Sequence, residues 1–247
     1  MSASQEYRPE GLSIVIPLFN ESENVEELFF KITEFSKSVN FNFEIILVDG
    51  CSSDSTYEKI LIQCKKLDMP QLKALKMKAR EGYGHDIVEG LKIATFKDLA
   101  WTHADLQTDL NDLIRGYEMF QQIGNNIIIK GARKNRPFLD RFLTFGMQLF
   151  VYSQLNIHLS DINAQPKIFD IDFFDNYISK NYPKDFSLDL FLLLQAKKNA
   201  YIIHSFDVDF KKRKFGEAKG GGGSIKNRIM LIKRTFRYIV KLKNTIY

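Results

Sequence analysis

The run Trp101-Thr-His-Ala-Asp-Leu-Gln107 holds the residues best suited to chemistry. An apolar stretch (Leu99, Ala100, Trp101) gives way to His103, Asp105 and Gln107, spaced two apart. If the backbone stays extended, side chains two apart share one face, so an imidazole, a carboxylate and an amide converge. Oxygen and imidazole groups gathered at a strand end can hold a divalent cation against a diphosphate. The plain alternative is a polar turn after a strand.

The elements that must position these groups follow from periodicity. Short β-branched or apolar runs at Leu12–Pro17, Phe43–Val48, Leu72–Met77, Leu99–Thr102, Asn126–Lys130 and Tyr201–Phe206 predict strands. Between them, helical spacing begins near Ser22, with Val25, Leu28, Phe29, Ile32 and Phe35 on one face. Further helices are expected after Asp49–Asp54 (Ile60, Leu61, Cys64) and over Gly84–Phe96, Leu110–Ile123, Phe138–Leu155 and Leu188–Ala196. The βαβα order with short connections predicts an α/β fold, a mostly parallel sheet with helices on both faces. Ligands in such sheets bind beyond the carboxyl ends of the strands, which is where Pro17–Glu21, Asp49 and His103–Gln107 fall.

The 247 residues fit one large domain with its own core, and the composition is globular: 45% hydrophobic and 26% charged. No apolar run reaches the roughly 18 residues needed to span a bilayer, and the first residues lack a signal-peptide pattern. The expected location is therefore cytoplasmic. Cys51 and Cys64 fit neither a disulfide framework nor a zinc spacing. The formal net charge of +5 conceals a division. Residues 211–247 carry 12 Lys/Arg against one acid, Glu217, while the other 210 residues carry 23 basic and 29 acidic groups. A basic block of this kind suits phosphates, and the bland reading is a solvated helix face. From Ile225 to about Lys243, apolar positions 225, 229, 232, 236 and 239 alternate with Lys and Arg. This predicts a basic amphipathic helix that either lies on an anionic membrane surface or docks on the core. No nucleic-acid-binding module is recognisable. Gly82-Tyr-Gly84 lacks the third glycine of a dinucleotide fingerprint, and there is no GK[ST] phosphate loop.

Seven segments in order resemble the family 2 glycosyltransferases of the GT-A fold, in the dolichol-phosphate mannose synthase-like branch. They are Ile16-Pro-Leu-Phe-Asn-Glu21, Ile46-Leu-Val-Asp-Gly-Cys-Ser-Ser-Asp54, Gly82–Gly90, His103-Ala-Asp-Leu-Gln107, Gly131-Ala-Arg133, Asp161-Ile-Asn-Ala-Gln165 and Arg213-Lys-Phe-Gly-Glu-Ala-Lys219. The resemblance covers nearly the whole chain. It implies a single GT-A domain over 1–247, with a core of about 11–210 followed by a basic glycine-rich loop and amphipathic helix.

The site it implies is specific. Pro17, Phe19, Glu21, Val48, Asp49, Ala104 and Asp105 would receive a nucleotide-sugar. Asp105, with His103 and Gln107, would hold Mg²⁺ or Mn²⁺. Arg133, Arg213 and Lys219 would bind phosphates of donor and acceptor. Asp189 would be the general base if the acceptor is a hydroxyl, with Asp161 as second choice. Three departures stand out: His103 where the family has a first aspartate, Gly50 where it often has a second acid, and Ala164-Gln165-Pro166 in place of its S-G-F pattern. The implied reaction is inverting transfer to a membrane-associated acceptor, a polyprenyl phosphate at the inner face of the membrane. The alternatives are transfer to a sugar or lipid-linked oligosaccharide hydroxyl, and a catalytically silent sugar-nucleotide-binding protein.

Overall fold

The computed structural model describes residues 7–135, 138–211 and 236–240. Seven strands form one sheet in the order β3-β2-β1-β4-β6-β5-β7. In chain order they are β1 (Leu12–Leu18), β2 (Phe43–Asp49), β3 (Leu72–Lys76), β4 (Asp98–Trp101), β5 (Ile127–Lys134), β6 (Lys167–Asp170) and β7 (Ile202–Asp209). Six strands point the same way. The exception is β6, which runs antiparallel between β4 and β5.

The helices are α1 (Val25–Ser38), α2 (Thr56–Leu67), α3 (Tyr83–Lys92), α4 (Asn111–Ile123), α5 (Phe138–Leu155), α6 (Ile171–Phe173) and α7 (Leu188–Lys198). A π-helical turn over Phe174–Ile178 continues α6. Strand alternation sends Leu12, Ile14, Ile16 and Leu18 to one face, against Val25, Leu28, Phe29, Ile32 and Phe35 of α1. Val15, Ile46 and Val48 go to the other, against Ile87, Val88 and Leu91 of α3. Each fully buried side chain of this kind contributes ~1.5–3 kcal/mol relative to exposure. These two cores fix the carboxyl ends of β1, β2 and β4 in one plane.

The expected strands and helices are present, with shifted ends. The third helix stops at Lys92 rather than Phe96, and β5 runs on through Gly131 and Arg133. β6 went unread. It follows a cis Gln165–Pro166 peptide and has only four residues, two of them charged. Arg213, Lys219, the glycine-rich loop and most of the predicted basic helix lie outside the described residues. Residues 236–240 are helical and docked on the core: Ile239 is buried, and the rings of Phe236 and Phe150 lie 3.8 Å apart.

Candidate active site

The first half of the site is built where β1 and β2 end side by side, Leu18 against Asp49. The loops that follow are stitched together. Ser52 Oγ accepts from the Asn20 amide at 2.8 Å, Asn20 Oδ1 accepts from the Ser53 amide at 2.8 Å, and Thr56 Oγ1 accepts from the Glu21 amide at 2.9 Å. Glu21 also accepts from the Asn24 side chain, so part of its role is to hold this loop. Val48 and Asp49 are fully buried, and Pro17 and Phe19 are half-buried. Asp49 Oδ2 accepts from the Ser52 amide at 3.1 Å, while its Oδ1 has no hydrogen-bond partner among the described residues.

α3 closes this half. The Arg80 guanidinium lies 3.9 Å over the Phe19 ring and pairs with Asp86 at 2.6 Å. Burial pushes the Asp86 carboxyl up to about 6, and Arg80 pulls against it. The first turn of α3 is occupied by protein. The Gly84 and His85 amides both donate to the Lys184 carbonyl, at 2.9 and 3.2 Å. A Cβ on Gly84 would clash with the Pro183 carbonyl. The two glycines thus serve a close backbone approach, and this helix end is not a phosphate cradle.

The second half lies beyond β4. The strand stops at Trp101, a turn occupies Ala104–Asp105, and Leu106 has a left-handed φ of 57°. The extended alternation that would align His103, Asp105 and Gln107 therefore does not hold. Asp105 Oδ1 accepts from the Gln107 amide at 3.2 Å, the signature of an aspartate-stabilised turn. The Gln107 side chain donates to the Lys211 carbonyl at 3.1 Å, tying the segment to the end of β7. Ala104 is buried. The His103 ring stacks on Tyr83 (5.5 Å between centroids), which stacks in turn on Phe186 at 4.4 Å. Among the described residues, no three His, Cys, Asp or Glu side chains converge to hold a metal ion. The donors the sequence leads one to expect here are Asp105 and His103. One or two protein ligands suit a cation whose remaining ligands are substrate phosphates and water.

On the far side of β4, a charged network is packed beneath the carboxyl edge. Lys167, fully buried at the start of β6, donates to Asp189 Oδ1 at 2.6 Å and to the Ile162 and Ala164 carbonyls, both at 2.9 Å. Gln165 also donates to Asp189 Oδ1, at 2.8 Å, and Asp189 Oδ2 is buried without a partner among the described residues. Lys130, 1% exposed, donates to the Gly131 and Asp161 carbonyls at 2.8 and 3.2 Å. Burial, and then the neighbouring Lys167 charge, push the Lys130 amine down to about 7. Arg133 grips Asp161 through its backbone amide (2.7 Å) and its guanidinium, and stands 5.2 Å from the Phe210 ring. Asp161 and Asp189 are therefore both committed to cations.

A separate open groove of about 400 Å³ lies between α4 and β7. Its cations are already paired, Arg115 with Asp112 and Lys211 with Asp109. The fold brings the sequence-predicted Pro17, Phe19, Glu21, Asp49, His103 and Asp105 to the carboxyl ends of β1, β2 and β4 and the loops that follow them. Arg80, Tyr83, Asp86, Lys130, Gln165 and Lys167 were not anticipated. Tyr83, Asp86 and Gln165 lie inside segments that carry the family resemblance, and Lys130 directly precedes Gly131-Ala-Arg133, but pattern reading assigns lysines to the surface.

Residues 13–171 match the profile of Glycosyl transferase family 2, which is more than half the chain, and the chain belongs to that family. Over 245 residues it is 22% identical to a dolichyl-phosphate beta-glucosyltransferase of Dictyostelium discoideum, covering 93% of this chain and 75% of that one. A dolichol-phosphate mannosyltransferase of Pyrococcus furiosus is 29% identical over 140 residues, 55% of this chain and 38% of its own length. Among solved structures, glucosyl-3-phosphoglycerate synthase from Mycobacterium tuberculosis, in complex with Mn²⁺, UDP-glucose and phosphoglyceric acid, superposes with a TM-score of 0.74. The identity is 11%, and 96% of this chain and 80% of that chain are covered. A mannosyltransferase from Pyrobaculum calidifontis, in complex with GDP-Man and Mn²⁺, gives 0.65 at 15% identity, covering 96% of this chain and 65% of that one. These likenesses show the GT-A fold.

Proposed function

We propose that this family 2 glycosyltransferase transfers a sugar, with inversion, from a nucleoside-diphospho-sugar to a polyprenyl phosphate. The observation that carries the reading is the gathering of Asp49, Phe19, Asp105 and His103 on the loops after β1, β2 and β4. β1 and β4 are the neighbouring strands at which the chain order reverses, the usual ligand crevice of an open α/β sheet. In this reading, Phe19 and Asp49 receive the base and Asp105 with His103 lies at the diphosphate. A Mg²⁺ or Mn²⁺ ion held by Asp105 and His103 would offset negative charge on the departing diphosphate.

An acceptor phosphate oxygen forms the new bond to the anomeric carbon as the bond to the diphosphate breaks, and nucleoside diphosphate leaves. The attacking oxygen is already ionised, so no proton has to be removed. That agrees with a carboxyl pair, Asp161 and Asp189, engaged with Arg133 and Lys167. The cations of this network favour an anionic acceptor, with Arg133 the least buried of them. Two further observations support a lipid-borne acceptor. The two relatives matched by sequence are named as a dolichyl-phosphate glucosyltransferase and a dolichol-phosphate mannosyltransferase. In addition, α5 exposes Phe145, Leu149 and Tyr152 at helical spacing, an apolar stripe that polar solvent alone does not favour.

The test is transfer from UDP-glucose and from GDP-mannose to a short polyprenyl phosphate, with and without Mn²⁺, read by mass spectrometry. Metal-dependent formation of a lipid phosphosugar, persisting in Asp189→Asn, supports the reading. Transfer only to a glycan hydroxyl, lost in Asp189→Asn, overturns the acceptor assignment. Donor binding without turnover on any acceptor points to a silent protein.

A further inference from the structure

The glycine at position 50 leaves a gap where a second acid is expected beside Asp49, and the fold fills that gap from another element. A Cβ built on Gly50 would overlap Asp86 Oδ2 and come within 2.7 Å of Arg80 Nη1. The carboxylate absent from the β2 loop is thus replaced in space by one on α3. Asp86 is 1% exposed and Asp49 is fully buried, yet each retains an oxygen (Oδ1 in both) without a hydrogen-bond partner among the described residues. Buried acceptors are almost always satisfied, and an orphaned one costs free energy unless something else completes it. Beside them Arg80, more than a third of it exposed, is pinned to Asp86 at 2.6 Å, with its guanidinium carbon 3.9 Å from the centre of the Phe19 ring. Two buried acceptors, a cationic donor and an aromatic ring thus sit together at the ends of β1 and β2.

We propose that Asp86 and Arg80 are specificity residues that replace the missing acid at position 50 and, with Asp49, read a donor base bearing a ring N–H flanked by a carbonyl. This rests on the reading of the site as one for a nucleoside-diphospho-sugar. The ring N–H donates to a carboxylate, and Arg80 donates to the adjacent carbonyl. Uracil and guanine carry that pair. Adenine and cytosine present a ring nitrogen acceptor instead, which would face the carboxylates with no proton between them. Guanine, with an exocyclic amine beside its ring N–H, can satisfy both orphaned oxygens, whereas uracil satisfies one.

The experiment is calorimetric titration of the full chain with UDP, GDP, ADP and CDP at fixed Mn²⁺, with Tm recorded for every variant. The wild type should favour UDP or GDP over ADP and CDP by about tenfold or more, the range of one charge-assisted hydrogen bond. Asp86→Asn keeps the shape, exchanges an acceptor for a donor, and should reduce that preference to within about threefold. Gly50→Asp alone should bind poorly, because two carboxylates cannot share the space. Gly50→Asp combined with Asp86→Ala should recover the preference, a rescue that a purely structural role for Asp86 would not produce. If Asp86→Asn unfolds, the more exposed Arg80→Gln carries the same expectation. A wild type that discriminates while folded Asp86→Asn and Arg80→Gln discriminate equally well overturns this assignment alone. A wild type that binds no nucleoside diphosphate overturns the donor reading and this inference together.

Discussion

Replacing Asp189 by alanine separates its two conceivable roles. The carboxylate is 1% exposed, and its Oδ1 takes hydrogen bonds from Lys167 (2.6 Å) and Gln165 (2.8 Å). After truncation the Lys167 ammonium, itself fully buried, keeps only the Ile162 and Ala164 carbonyls. Removing one partner of a buried ion pair costs about 3–5 kcal/mol, because the remaining charge is uncompensated. For a chain of this size, ~1 kcal/mol moves Tm by about 2–4 °C, so the expected fall is about 6–20 °C. Urea unfolding at pH 7, followed by circular dichroism, measures the loss directly. The double variant Lys167→Met/Asp189→Leu removes both charges and should be less destabilised than Asp189→Ala. A loss below about 1 kcal/mol in Asp189→Ala, or a double variant worse than the single, would refute the claim that this pair holds the β6 end in place. Asp189→Asn, which keeps the shape, should retain transfer to a phosphate acceptor below its Tm.

Three other outcomes follow from the geometry. Lys130 has a folded pKa of about 7 against 10.5 when free, so the unfolded chain binds the extra proton between those values. Its destabilising contribution is complete below pH 7 and fades as pH rises towards 10.5, with an upper bound of ~5 kcal/mol. Lys130→Met should therefore gain most over wild type near pH 6 and least near pH 9.5; a difference in urea midpoint that stays flat across that range would refute the burial argument. Asp105→Ala should abolish the Mn²⁺-dependent part of the thermal stabilisation by nucleoside diphosphate, and His103→Asp should shift the preference towards Mg²⁺. Equal Mn²⁺ responses in wild type and Asp105→Ala would count against the metal assignment. Gly84→Ala places a methyl against the Pro183 carbonyl and 2.8 Å from the Asp185 carbonyl. It should cost about 1–3 kcal/mol by overpacking despite the higher helix propensity of alanine, and an unchanged Tm would contradict that.

The fold was legible wherever burial follows a period. α1 declared itself through five apolar residues on one face, and β1 and β2 through continuous apolar runs of the kind a sheet covered on both faces produces. β6 was not legible, because its opening residue is a lysine whose charge is met by Asp189, 22 positions further on. No local pattern encodes that partnership. The same limit applies to the site. Asp49 and Asp105 could be read from their place after apolar runs. The turn at Ala104–Asp105, however, removes the alternation that would have aligned His103 and Gln107 with Asp105. The role of Asp86 was hidden for a related reason, since position 50 reports only a missing acid and the substitute lies 36 residues away on another helix.

The sheet order explains how one edge serves two kinds of partner. From β3 to β4 all strands are parallel, so four carboxyl ends and their loops lie together, suited to a flat base and a diphosphate. At β6 the direction reverses, and an amino end with the cis Gln165–Pro166 loop enters the same edge. That reversal puts Lys167 in the interior, where it requires Asp189, and sets Lys130 on the neighbouring strand beside it. The two halves meet at Tyr83, which stacks on His103 from β4 and on Phe186 just before α7. A change in how His103 sits would reach the segment that carries Asp189 through this stack. Tyr83→Leu should then weaken acceptor use more than donor binding: KM for the acceptor rises while Kd for the nucleotide stays within about twofold. A parallel loss of both would show that the stack merely supports the fold.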